Sequence, residues 1–163
     1  MSDVTPLEHE NRLDPVPMKT PPRPLQKEID DRAVLKESLL PMSDPAELET
    51  GEELLFLRSG YQKRILKRLR RGHYSSSDTL DLHHMDTKTA GQVLLDFVAY
   101  SIEQGHGCIR IIHGKGLRSR DLPRLKILSN RLLRKHSRVI AFASCRQVDG
   151  GTGAVDVLLS LKS

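Results

Sequence analysis

Two short clusters in this chain bring acids, imidazoles and an amine together at spacings that suit phosphoryl chemistry. They are Asp81-Leu82-His83-His84 and, thirty residues on, His113-Gly114-Lys115-Gly116. Asp81 and His83 are two positions apart, so on an extended strand their side chains share one face. A carboxylate so placed can orient an imidazole, whose ordinary pKa of ~6.5 lets it take or give a proton near neutral pH. The same pair can also supply two ligands to a metal, and an isolated Asp-x-His equally fits a structural histidine. In the second cluster two glycines flank a lysine, which lets backbone N–H groups and a cation approach a phosphate closely. The alternative there is a tight turn with an exposed lysine. Leu117 follows Gly116, so the Gly-x-x-x-x-Gly-Lys-Ser/Thr pattern is absent and nucleotide hydrolysis on a P-loop is excluded. No serine stands in a Gly-x-Ser-x-Gly elbow either. Gly150-Gly151-Thr152-Gly153 reads as a hairpin turn, bare enough for a nucleic-acid strand to approach its backbone.

The elements that must position these clusters follow from the apolar periodicity. Asp78 to Leu82 and Cys108 to Ile112 read as strands, and each runs into one of the clusters. Between them Ala90, Val93, Leu94, Phe97, Val98 and Ile102 mark one face of a helix, with Asp86 or Thr87 as its cap and Gly105 and Gly107 at its end. A strand–helix–strand unit makes the two strands parallel, which brings both clusters to one carboxyl edge, where open α/β sheets bind ligands. Leu122 to His136 is a second helix, with Leu125, Leu128, Leu132 and Leu133 on its core face. Arg138 to Ala143 and Ala154 to Leu161 are two further strands, paired as a hairpin. The order is β-α-β-α-β-β, an α/β fold with two helices over a small four-stranded mixed sheet. Ahead of it, Leu54, Leu55, Leu57, Tyr61, Ile65, Leu66 and Leu69 recur at helical spacing from Glu52 to Arg71, with Gly60 as a break. The opposite face carries Arg58, Lys63, Arg64, Lys67, Arg68, Arg70 and Arg71, a basic stripe for phosphates or simply a solvated face.

Charge divides the chain. Residues 1–50 hold six Lys/Arg against eleven Asp/Glu and eight of the nine prolines, a composition that predicts a disordered acidic extension. Residues 51–163 hold twenty Lys/Arg against ten Asp/Glu, an excess of +10 that attracts polyanions, nucleic acid above all. No apolar run approaches the ~20 residues of a membrane span, and the amino-terminal residues lack the pattern of a signal peptide, so a cytoplasmic place is expected. Cys108 and Cys145 lack metal-type spacing and read as two buried thiols.

Taken in order, Leu80-Asp81-Leu82-His83, the Ala90 helix, Ile111-Ile112-His113-Gly114-Lys115-Gly116 and Gly150-Gly151-Thr152-Gly153-Ala154 resemble the Smr (small MutS-related) domain. The resemblance spans about residues 72–161, and the helical leader is similar to that of stand-alone bacterial Smr proteins. It implies a two-layer sandwich related to the C-terminal domain of bacterial translation initiation factor three, and nuclease activity on DNA or RNA, including messenger RNA on stalled or collided ribosomes. Nothing in the chain resembles the ATPase of the large MutS proteins. Many members carry glycine after the Asp-Leu-His, where this chain has His84.

The resulting organisation is an extension at 1–50, a basic helical leader at 51–74 and the Smr domain at 75–163. The expected activity is cleavage of single-stranded RNA by Asp81, His83, His113 and Lys115. In that scheme His83 is general base on a ribose 2′-hydroxyl, Lys115 steadies the phosphorane, and His113 either protonates the leaving oxygen or positions the phosphate. Gly114, Gly116, Arg118, Arg120, Gly151, Gly153, Arg68, Arg70 and Arg71 are the expected nucleic-acid contacts. No cofactor is required. The competing readings are DNA nicking with a divalent cation at Asp81 and His83, and a module held to nucleic acid or the ribosome by the basic domain without cutting. The acidic extension is either a tether to a partner such as the ribosome or a tail that covers the basic face.

Overall fold

The computed structural model describes residues 32, 35–36, 53–116 and 123–162. Their elements are β1 (Leu55–Leu57), α1 (Lys63–Arg70), β2 (Asp78–Asp81), α2 (Thr87–Glu103), β3 (Cys108–Ile112), α3 (Arg124–Lys135), β4 (Val139–Ser144) and β5 (Ala154–Leu159). One five-stranded sheet runs in the order β1-β4-β5-β3-β2.

The β2–α2–β3 unit forms as its sequence predicts. Asp86 caps α2 by accepting the Thr89 amide at 2.9 Å, and Gly105, at φ +77°, follows its end. α2 buries Ala90, Leu94 and Val98 on the sheet, and β2 and β3 pair in parallel, with Asp81 opposite Ile112. The antiparallel β5 lies between β3 and β4 and pairs with both. The carboxyl ends of β2, β3 and β4 therefore share one edge of the sheet.

The two faces differ in what covers them. Ile109, Ile111, Phe142, Val155 and Val157 form the main core with α2 and with Leu128, Leu132 and Leu133 of α3. Ala141, Ala143 and Leu158, on the opposite face, pack against Ile65, Leu66 and Leu69 of α1. The sandwich of helices on a mixed sheet is as expected, and α1 adds a partial cover to its second face.

The leader departs from its wholly helical reading, and the sheet has five strands where four are expected. Leu55–Leu57 is extended and pairs antiparallel with β4. Gly60, at φ +92°, separates this strand from α1. Burial explains the change. Leu54 is enclosed in the main core, its amide donates to the Ser144 hydroxyl at 2.7 Å, and the residues after it complete the edge of the sheet beside β4. The predicted disorder of residues 1–50 lies outside the described residues except at Arg32, Leu35 and Lys36. These three are helical, and Leu35 packs on the core at Gly91, where any Cβ would collide with it. Cys108 and Cys145 are buried and free. Burial, with the Asp156 charge, pushes both thiols up to about 12, so they are inert at neutral pH.

Candidate active site at the carboxyl edge of the sheet

Leu80 and Leu82 turn into the core at the end of β2, so period-two alternation sends Asp81 to the other side and His83 with it. The His83 Nδ1 meets Asp81 Oδ1, and the same oxygen accepts the His83 amide at 3.0 Å. Partial burial alone would raise the Asp81 carboxyl. The hydrogen bonds from the His83 ring and amide, with the His83 and His84 charges, outweigh it and hold the group below the usual carboxylate range. Asp81 thus stays ionised and accepts the proton on His83 Nδ1, so the neutral form of this ring carries its lone pair on Nε2. Both side chains are about half exposed, so a substrate can reach them.

His84 follows at φ +68°, the one described non-glycine residue in the left-handed region. That conformation reverses the chain into the α2 cap, and glycine adopts it without a steric penalty. The turn geometry therefore accommodates the departure at this position. The His84 ring lies 4.4 Å from that of His83, tilted by 59°.

The second cluster is a turn held from below. Gly114 and Gly116 stand at φ +82° and +71°, and the His113 and Gly114 amides donate to the Gly153 carbonyl at 3.0 and 2.9 Å. His113 is only 3% exposed, and its Nδ1 donates to the Gly114 carbonyl at 2.9 Å. Its Nε2 is buried with no hydrogen-bond partner among the described residues. Burial pushes its pKa down to about 4, against the Gly114 hydrogen bond and with help from the Lys126 charge. His113 is therefore neutral at pH 7. Of its two expected roles, the burial of the ring and the bond of its Nδ1 to the Gly114 carbonyl suit positioning better than proton donation to a leaving oxygen.

Between the clusters is an open cleft of about 640 Å³, lined by His83, His84, His113, Lys115, Arg124 and Lys126 among others. Arg124 and Lys126 come from the first turn of α3, and sequence reasoning missed both. The available signal is Pro123, which marks the start of α3 and so places both residues in the helix's first turn, beside the cleft. Lys126 is 6% exposed, so it brings a cation close under His113.

Other expected contacts fall elsewhere. Gly151 and Gly153 are buried, and neither offers bare backbone to a nucleic acid. A Cβ on Gly151 would meet Gln147 Oε1 at 2.8 Å, and one on Gly153 would meet Lys115 Cγ at 3.0 Å. Their smallness seats those two side chains. Arg118 and Arg120 lie outside the described residues. Arg68, Arg70 and Arg71 are on or just after α1, away from this cleft. Arg68 stacks over Tyr74 at 5.2 Å from the ring centre, and Arg70 pairs with Glu53 at 3.1 Å. Among the described residues no three His, Cys, Asp or Glu side chains are grouped as a metal centre, and no helix is long and apolar enough to cross a membrane.

Comparison with known proteins agrees with this geometry. A family model for the Smr domain matches residues 80–160, from the first cluster through β5. The chain is 31% identical over 142 residues to the ribosome rescue factor SmrB of Yersinia enterocolitica, covering 87% of this chain and 75% of that one. It is 34% identical over 109 residues to the protein of the same name from Aliivibrio salmonicida, covering 65% of this chain and 57% of that one. Among solved structures it is similar to YdaL, a stand-alone small MutS-related protein from Escherichia coli, with a TM-score of 0.61, 25% identity, and coverage of 76% of this chain and 95% of that one. The motifs, the fold that joins them at one edge and these relatives agree: the chain belongs to the Smr (small MutS-related) family.

Proposed function

We propose that this protein is an endonuclease that cuts single-stranded RNA by imidazole-based acid–base catalysis without an obligatory metal. One observation carries the reading: an ionised Asp81 orients a half-exposed His83 in a cleft that also holds Lys115. His83 Nε2 takes the proton of a ribose 2′-hydroxyl, and the freed oxygen attacks the adjacent phosphorus. The bond to the 5′-oxygen breaks, and that oxygen takes a proton from water in the open cleft. Lys115 faces the developing negative charge, while neutral His113 and the bonds of the His113 and Gly114 amides to the Gly153 carbonyl keep that turn in place. The products are a 2′,3′-cyclic phosphate and a 5′-hydroxyl. The relatives named as ribosome rescue factors favour messenger RNA on the ribosome as the substrate, and with it a cytoplasmic place. The acidic extension at 1–50 would be the ribosome tether, so deleting it should weaken co-sedimentation with ribosomes.

The test is cleavage of end-labelled single-stranded RNA, with and without chelator, by wild type and by the Asp81→Ala and His83→Ala variants. General acid–base help is worth roughly a hundred- to ten-thousandfold. Each variant should lose at least about a hundredfold in rate, keep its thermal midpoint and still bind RNA. Equal rates in variant and wild type would reject the site. Chelator-sensitive cutting that leaves a 3′-hydroxyl and a 5′-phosphate would replace the mechanism with metal-assisted hydrolysis.

A further inference from the structure

A second basic hollow lies at the same sheet edge, on the side covered by α1. It measures about 730 Å³ and is lined by Lys63, Lys67, Arg70, Arg71, Arg146 and the single carboxylate Glu53, with Ser144, Cys145 and Gln147 at its floor and rim. Glu53 is engaged by Arg70, and Arg146 is steadied by Asp149 at 2.9 Å. Lys63, Lys67, Arg70, Arg71 and Arg146 are all exposed. Five cations around one carboxylate make this a site for a polyanion rather than for a neutral or cationic partner.

Its place in the sheet relates it to the cleft. The floor begins at the carboxyl end of β4, and β2 is three neighbours away through β5 and β3. At the ~4.8 Å spacing of paired strands the two sites are roughly 14 Å apart along the edge. That span is about four nucleotides at the ~3.4 Å rise of a stacked strand. The 146–153 segment joins them: Arg146 borders the hollow, and Gly153 supports Lys115 at the cleft.

Resting on the reading of the cleft as an RNA nuclease site, we propose that the α1 hollow is a second phosphodiester-binding subsite. It holds the flank of the same RNA strand about four nucleotides from the bond cut at His83. It sets length preference and takes no part in the chemistry.

The experiment compares wild type with a Lys63→Gln/Lys67→Gln variant, and separately with Arg146→Gln, each checked by thermal melting. Two quantities are read: the salt dependence of affinity for a long single-stranded RNA, and the KM of that RNA relative to a dinucleotide substrate. Each lost phosphate contact on single strands lowers the slope of log K against log salt by about 0.7, so the double variant should lose about 1.4. The advantage of the long RNA over the dinucleotide should shrink with it. An unchanged slope and an unchanged length advantage in a folded variant would overturn the subsite even if cutting continues. The same loss of slope in the variants, with a wild type that never cuts, would keep the subsite and reject the nuclease reading. Tight binding of polyglutamate, with the RNA slope unaffected by the substitutions, would overturn it in favour of an acidic protein partner.

Discussion

At the residue scale, His84 and His113 each stand where histidine is disfavoured, the one by its backbone and the other by its burial. His84 occupies the left-handed region at φ +68°. Replacing it by glycine removes a steric cost of about 1–2 kcal/mol and adds a smaller entropic one, so His84→Gly should gain up to about 1 kcal/mol in a urea melt. His113 is neutral because burial lowers its pKa from 6.5 to about 4. The unfolded chain therefore binds a proton in that window while the folded one does not. The resulting stability is fully present above pH 6.5 and is lost as pH falls toward 4, by about 3 kcal/mol at most. NMR should show a His113 ring that does not titrate between pH 7 and 5. His113→Asn should unfold with a shallower acid dependence than wild type. A His113 resonance that titrates near 6.5 would contradict its burial.

The turns and strands around the site are governed by space as well as by charge. A Cβ on Gly116 would lie 2.7 Å from Pro123 Cβ at a φ of +71°, whereas one on Gly105, at φ +77°, meets nothing within 4 Å. Gly105→Ala should cost only the conformational penalty of about 1–2 kcal/mol. Gly116→Ala adds the collision, so its loss should be larger by about 1–3 kcal/mol, with reduced cleavage because α3 is pushed from the cleft. Paired denaturation curves test the difference. These elements also show what the residue pattern conveys. The alternation of Leu80 and Leu82 with Asp81 and His83 made the first cluster legible, since period two alone decides which side each faces. The apolar run of β3, broken only by Arg110, and the spacing of α2 were equally plain. β1 was not, because its three half-buried residues are too few to show a period and Leu54, Leu55 and Leu57 also fit a helix. Lys126 was hidden for another reason: a lysine predicts exposure, and only packing of α3 on the sheet encloses it.

For the molecule as a whole, the face opposite the main core is tied together by ions. Arg110 on β3 binds Asp156 on β5 through two hydrogen bonds of 2.7 and 3.1 Å, and Asp149 stands 3.6 Å from the same guanidinium. Asp149 also holds Arg146, so the centre of the sheet, the 146–153 segment and the α1 hollow share one network. Asp156 is 5% exposed, and removing it takes both close hydrogen bonds from a partly buried guanidinium and leaves it only the more distant Asp149. Asp156→Ala should cost about 3–5 kcal/mol, while Arg110→Met/Asp156→Leu should recover much of the loss. Thermal melts of the three proteins check this, and equal midpoints would mean that the pair is energetically idle.

The position of β5 bears on how the protein comes into being. Synthesis delivers residues 154–159 after every other described strand, yet they pair on both sides in the middle of the sheet. Until they emerge, the chain can offer only two separate strand pairs, β2 with β3 and β1 with β4. A growing chain therefore carries both clusters on one strand pair before the Gly153 carbonyl arrives to hold the second cluster's turn. Emergence of β5 and completion of the cleft coincide.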